Sequence, residues 1–114
     1  MSLNLYAYVN KDGVYTFAPS RHFQDLSIVD LQTSSISIPS SLREFYLSCI
    51  FPYYPFSTME SGDFIDLLNL KHIMFYLDLY EPDYIHGLFG YRYYEQFVEF
   101  LRRCLEHGYY VGIA

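Results

Sequence analysis

Residues 3–9, LNLYAYV, alternate Leu3, Leu5, Ala7 and Val9 with Asn4, Tyr6 and Tyr8, the two-residue period of a strand with one buried face. The next four residues, NKDG at 10–13, supply turn chemistry, with Asp12–Gly13 suited to positive φ. Val14–Phe17 then reads as the return strand of a hairpin. Between residues 18 and 39, Pro19, Ser20 and the Thr33–Ser35 run mark loops. Leu26–Leu31 and Ser35–Ile38 read as short strands, the second ended by Pro39.

A helical period begins at Ser41, which has Glu44 at capping-box spacing. Leu42, Phe45, Tyr46, Cys49 and Ile50 form one apolar stripe, and Pro52 and Pro55 end it in an aromatic loop, FPYYPF. Asp63 is a good cap for a second helix carrying Phe64, Ile65, Leu67, Leu68 and Leu70. Residues 73–80 fit either a continuation of that helix toward Pro82 or a strand, since Ile73, Phe75, Leu77 and Leu79 also alternate with Met74, Tyr76, Asp78 and Tyr80. The single-helix reading is the preferred one.

The last helical pattern is the clearest. Tyr94, Phe97, Val98, Leu101, Cys104 and Leu105 line one face, and Glu95, Gln96, Glu99, Arg102, Arg103 and Glu106 line the other. Glu99 stands four residues before Arg103, the favourable order for a helical ion pair. Gly108 suits the position after the helix, and YYVGI at 109–113 reads as a final strand. Together these elements predict a single α+β domain over residues 1–114. Its small, mainly antiparallel sheet is built from the first hairpin and the last strand, and about three helices pack on one side.

Composition narrows the function classes. Net charge is −6, and seven basic residues are scattered without a stripe, so nucleic acid is not expected as a direct partner. No signal-peptide pattern opens the chain, and the longest uncharged apolar run near the middle, Ile73–Leu77, is too short to span a bilayer, which predicts a cytoplasmic protein without a membrane partner. Cys49 and Cys104 fall inside apolar helical stripes and read as reduced core thiols rather than nucleophiles or a disulfide. The four histidines lack metal-ligand spacing, and no phosphate loop or nucleophile elbow is present. The sequence therefore predicts no cofactor, no metal and no enzyme.

The acidic residues are unevenly placed. Glu60, Asp63, Asp66, Asp78, Glu81 and Asp83, against Lys71 alone, carry five of the six net negative charges. Helix-start acids account for Asp63 and Asp66. Asp78, Glu81 and Asp83 interleave instead with Tyr76, Tyr80 and Tyr84, in a chain with fourteen tyrosines, a composition suited to Lys and Arg through ion pairing and cation–π contact. Glu60, Asp63, Asp78, Tyr80, Glu81, Asp83 and Tyr84 are accordingly the expected contact residues for a basic protein partner.

The opening LNLYAYVNKDGVYTF is similar to the first hairpin of cloacin-type immunity proteins, and the small, acidic α+β chain resembles the cytosolic immunity proteins that bacteria pair with secreted toxins. The helices depart from the mostly β cloacin-type family, and no residue role carries over. The resemblance implies a non-enzymatic protein that neutralises a basic toxin or nuclease domain by occlusion. A phage-encoded inhibitor of a bacterial defence complex would share these traits. A small enzyme or ligand-binding domain with an aromatic pocket, and a homo-oligomer built on tyrosine contacts, are the readings from other classes.

Overall fold

The computed structural model of the chain describes residues 3–38, 64–65, 70–72, 74–75 and 91–113. The first hairpin forms as the alternation predicts: β1 (Leu3–Lys11) and β2 (Val14–Phe17) are antiparallel, with Val9 opposite Thr16 and Lys11 opposite Val14. Asp12 and Gly13 take φ of 54° and 85°, the left-handed pair of a two-residue type I′ turn. The Gly13 N–H donates to Asn10 Oδ1 at 2.9 Å.

Around β1 a five-stranded sheet is assembled. β3 (Ser35–Ile38) is the strand expected before Pro39, and it pairs antiparallel with residues 3–6 of β1. The same edge of β1 thus serves β3 first and β2 afterwards, and the change occurs at Ala7. Its N–H donates to the Ser34 carbonyl and its carbonyl accepts the Ala18 N–H, both at 2.9 Å. Ser34 is 1% exposed, has φ of 48°, and donates its hydroxyl to the Ala18 carbonyl at 2.6 Å. β4 (Phe64–Ile65) and β5 (Tyr110–Ile113) complete the sheet. β5 lies antiparallel between β1 and β4, with Leu5 opposite Ile113, Ala7 opposite Val111 and Ile65 opposite Val111 on its other side.

One long helix, α1 (Tyr91–His107), covers the sheet. Its stripe of Phe97, Phe100, Leu101 and Cys104 packs in one cluster with Leu5, Ala7, Ile36, Ile65, Val111 and Ile113. Val98 and Leu105 flank that cluster, while Phe100 is a core member the sequence stripe omitted. The helix ends in a Schellman motif: Tyr109 N–H donates to the Cys104 carbonyl at 2.7 Å and Gly108 N–H to the Leu105 carbonyl at 3.2 Å, with Gly108 at φ 71°.

Two expectations are corrected. Leu26–Leu31 is not a strand. Phe23, Leu26 and Val29 recur every third residue, and three-residue turns bury all three: Leu26 N–H donates to Phe23 carbonyl and Val29 N–H to Leu26 carbonyl. Among the described residues, an isolated bridge, Asp30 with Ser35, is what links this stretch to a strand. A helix starting at Asp63 is also overturned, because Phe64–Ile65 pairs with β5. Residues 70–72 and 74–75 are helical, so the helical part of that stretch begins later, and Leu70 and Met74, one turn apart, are its buried members among the described residues. The capping-box helix from Ser41, Cys49 and the FPYYPF loop lie outside the described residues.

Candidate interaction surface

The two faces of β1 have opposite fates. Leu5 and Ala7 are fully buried under α1, whereas Tyr6 and Tyr8 project to the outer face and are half-buried. Register then recruits their neighbours. Phe17 lies opposite Tyr8 on β2, Tyr15 lies opposite Asn10, and Tyr110 lies opposite Tyr8 on β5. Five aromatic rings therefore share one side of the sheet.

Their contacts form a continuous chain. Tyr8 and Phe17 stack at 5.4 Å between centroids, Tyr6 lies 6.0 Å from each of them, and the three planes are within 26° of one another. Tyr15 meets Tyr8 edge-on at 6.3 Å and Tyr110 at 5.7 Å. Such pairs favour a fixed ring arrangement and so limit the entropy lost when a partner binds. Burial raises the Tyr8 phenol above its ordinary value, with Tyr6 contributing further, so this phenol stays neutral at physiological pH. The outer rings remain accessible: Phe17 is 48% exposed and Tyr15 38%. Large exposed apolar side chains grouped in this way mark interaction surfaces, while scattered ones do not.

A second polar and aromatic cluster lies at the end of α1. Arg103 forms a fork to Asp25, with Nη2 2.8 Å from Oδ2, and also reaches Glu99 Oε1 at 3.1 Å and the His22 carbonyl at 3.0 Å. This arrangement pulls the Asp25 carboxyl down to about 2, chiefly through the Arg103 hydrogen bonds, and raises the guanidinium further. Two α1 turns earlier than the fork, Gln96 Oε1 accepts the Ile28 N–H at 3.0 Å and its Nε2 donates to Ser27 Oγ. One turn later, the His107 ring stacks on His22 at 3.9 Å, and the Tyr109 hydroxyl is 2.5 Å from His22 Nδ1. Gln96, Arg103 and His107 fall on one side of the helix by its period. The polar face of α1 is thus partly a docking strip for residues 22–28. The expected Glu99–Arg103 pair is present, and His107 is the last helical residue, as a dipole-compatible group should be.

Cys104 is buried and unpaired, and burial pushes its thiol strongly up, which removes nucleophilic character. Among the described residues no group of three metal-ligating side chains converges, and no helix is long and apolar enough to cross a membrane. The residues expected at a contact surface, Glu60, Asp63, Asp78, Tyr80, Glu81, Asp83 and Tyr84, all lie outside the described residues. The outer sheet face was not anticipated as a surface, although its signal is in the hairpin: Tyr6, Tyr8, Tyr15 and Phe17 all occupy the side opposite Leu5 and Ala7. Tyr110 joins them only through the pairing of β5 with β1.

No family model matches the chain, and neither a curated protein nor a solved structure matches it.

Proposed function

We propose that the chain is a non-enzymatic binding protein that neutralises a basic protein partner by occlusion, in the manner of toxin immunity proteins, and that it meets its partner on the outer aromatic face of the sheet. The observation that carries this reading is the chain of rings Tyr6, Tyr8, Phe17, Tyr15 and Tyr110, held in mutual contact yet open to solvent at Phe17 and Tyr15. Aromatic anchors dominate binding energy at protein interfaces, and tyrosine faces accept Lys and Arg well. The net charge of −6 favours a basic partner and speeds its approach. In this reading Glu60, Asp63, Asp78, Glu81 and Asp83 are rim charges, and Tyr80 and Tyr84 are additional anchors. The chain acts in the cytoplasm, on a toxin or nuclease domain rather than on nucleic acid.

The test begins with capture of the partner from the source cell or from the product of a neighbouring gene. Phe17→Ala should then weaken binding about thirtyfold, equivalent to about 2 kcal/mol, with the thermal midpoint nearly unchanged because the ring is half-exposed. Glu81→Lys with Asp83→Lys should slow association in a salt-dependent way. Full affinity in the Phe17→Ala protein would remove the sheet face from the interface. A mass that rises with protein concentration in the absence of any partner would identify the face as a self-association surface instead.

A further inference from the structure

His22 and His107 come from distant parts of the chain and meet as nearly parallel rings, 3.9 Å apart and 7° from coplanar directions. His22 closes a short 3₁₀ turn, Ser20–His22, and His107 ends α1. Tyr109 caps the assembly, its ring 5.7 Å from His22 and 5.4 Å from His107. From the geometry we infer that this stack is a pH-operated latch, which holds the 3₁₀ turn on the end of α1 while at least one ring is neutral and releases it when both carry a proton. The inference stands apart from the proposed binding role.

The charged surroundings of His22 explain why two protons cannot be held. Arg21 precedes it on its own turn. Arg103, from α1, donates to the His22 carbonyl. Asp25 lies on the following turn, but both its oxygens are engaged by Arg103. Tyr109, from the lead-in to β5, offers a neutral hydroxyl to Nδ1. Among the described residues no carboxylate pairs with either imidazole. A neutral ring stacks well on its neighbour, and one imidazolium over a neutral ring is still attractive through the ring face. Two imidazoliums at this distance repel, with Arg21 adding to the field.

The sign follows from linkage. Burial first, then His107 and Arg21, lower the His22 ring below its ordinary value of 6.5. The closed latch therefore binds fewer protons than the open one. Its stability is fully present above pH 6.5 and is lost as pH falls through the lowered value. The tyrosine hydroxyl can partner Nδ1 in either state, donating to it when it is bare and accepting from it when it carries a proton, so this contact is not the element that switches. Opening breaks the Arg103 bond to the His22 carbonyl but is confined to the turn, because Gln96 and the Arg103–Asp25 fork still hold residues 25–28 through bonds that do not titrate in this range.

Two measurements on the intact chain test the latch. The first follows the His22 ring by NMR between pH 8 and 4.5. In His107→Gln, which removes the facing charge, His22 should titrate at higher pH than in the wild type. The same midpoint in both proteins would overturn the coupling. The second follows amide hydrogen exchange, corrected for intrinsic rates. The His22 and Phe23 N–H groups, which donate to the Pro19 and Ser20 carbonyls, should lose at least tenfold protection between pH 7.5 and 5. Amides of β1 and β5 should keep theirs. Unchanged protection at His22 and Phe23 in the wild type, or an equal loss across the sheet, would overturn local release, and this reading needs no variant to fold.

Discussion

Ser34 is where the sheet is most sensitive to a single atom. Its backbone is left-handed, its side chain is buried, and its hydroxyl is the described partner of the Ala18 carbonyl. Ala18 is itself 4% exposed, so that carbonyl has little access to water. Ser34→Ala deletes the hydroxyl and keeps a Cβ at positive φ. The orphaned buried acceptor should then destabilise the fold by about 1–3 kcal/mol. Ser34→Gly deletes the same hydrogen bond but relieves a left-handed Cβ, which is worth about 1–2 kcal/mol. The glycine variant should therefore be the more stable of the two by about 1 kcal/mol, less the greater chain entropy glycine brings to the unfolded state. This reverses the usual order, in which glycine is the worse choice in a strand or helix. Urea unfolding followed by circular dichroism measures both, with equal slopes required for the comparison. An alanine variant as stable as the wild type would show that the Ala18 carbonyl is satisfied without Ser34. An alanine variant more stable than the glycine variant would refute the strain argument.

Leu101, 1% exposed at the centre of the α1 stripe, should cost about 2–5 kcal/mol when replaced by alanine, measured by the same unfolding curves. Asp25, with its carboxyl held at about 2 against an ordinary 3.8, stabilises the fold above pH 4, and that contribution is lost as pH falls toward 2. Thermal midpoints from pH 5 to 2 should flatten in Asp25→Asn, whereas an unchanged acid limb would assign acid unfolding to other carboxylates. Cys104 should resist a bulky thiol reagent in the native protein, and Cys104→Asp should abolish stable folding because it buries an unpaired charge. Rapid labelling of Cys104 under native conditions would place that stripe at the surface.

What could be read from the residues was local. The hairpin follows from strict alternation and an Asp-Gly turn, and α1 follows from a stripe sustained over several turns and closed by Gly108. Phe23, Leu26 and Val29 defeated the strand reading because three-residue spacing over so short a run also satisfies β-branched and apolar composition. Phe64–Ile65 is too short to show any period, so an aspartate with helix-forming leucines behind it outweighed a strand set by pairing with β5. The candidate surface was half legible, since β1 and β2 bring four of its rings together locally. Tyr110 and the His22–His107 stack depend on contacts between chain segments far apart, with His22 and Tyr109 separated by 87 residues, and no local pattern encodes them. The charge-based expectation rested on composition within one segment and gave no information on this sheet face.

The position of β5 has a consequence for synthesis. It is the last described strand, yet it lies inside the sheet, between β1 and β4. During translation the hairpin of β1 and β2 can close within about 1–10 μs of emerging, but a two-stranded ribbon alone is only marginally stable. Its inner edge then waits, with Leu5 and Ala7 uncovered, until residues 110–113 have left the ribosome. At about 5–20 residues per second this interval lasts several seconds. Over that time the nascent chain displays an unpaired apolar strand edge, the feature that makes folding intermediates prone to aggregate, so the exposure is set by the order of synthesis and not by the equilibrium stability of the finished sheet.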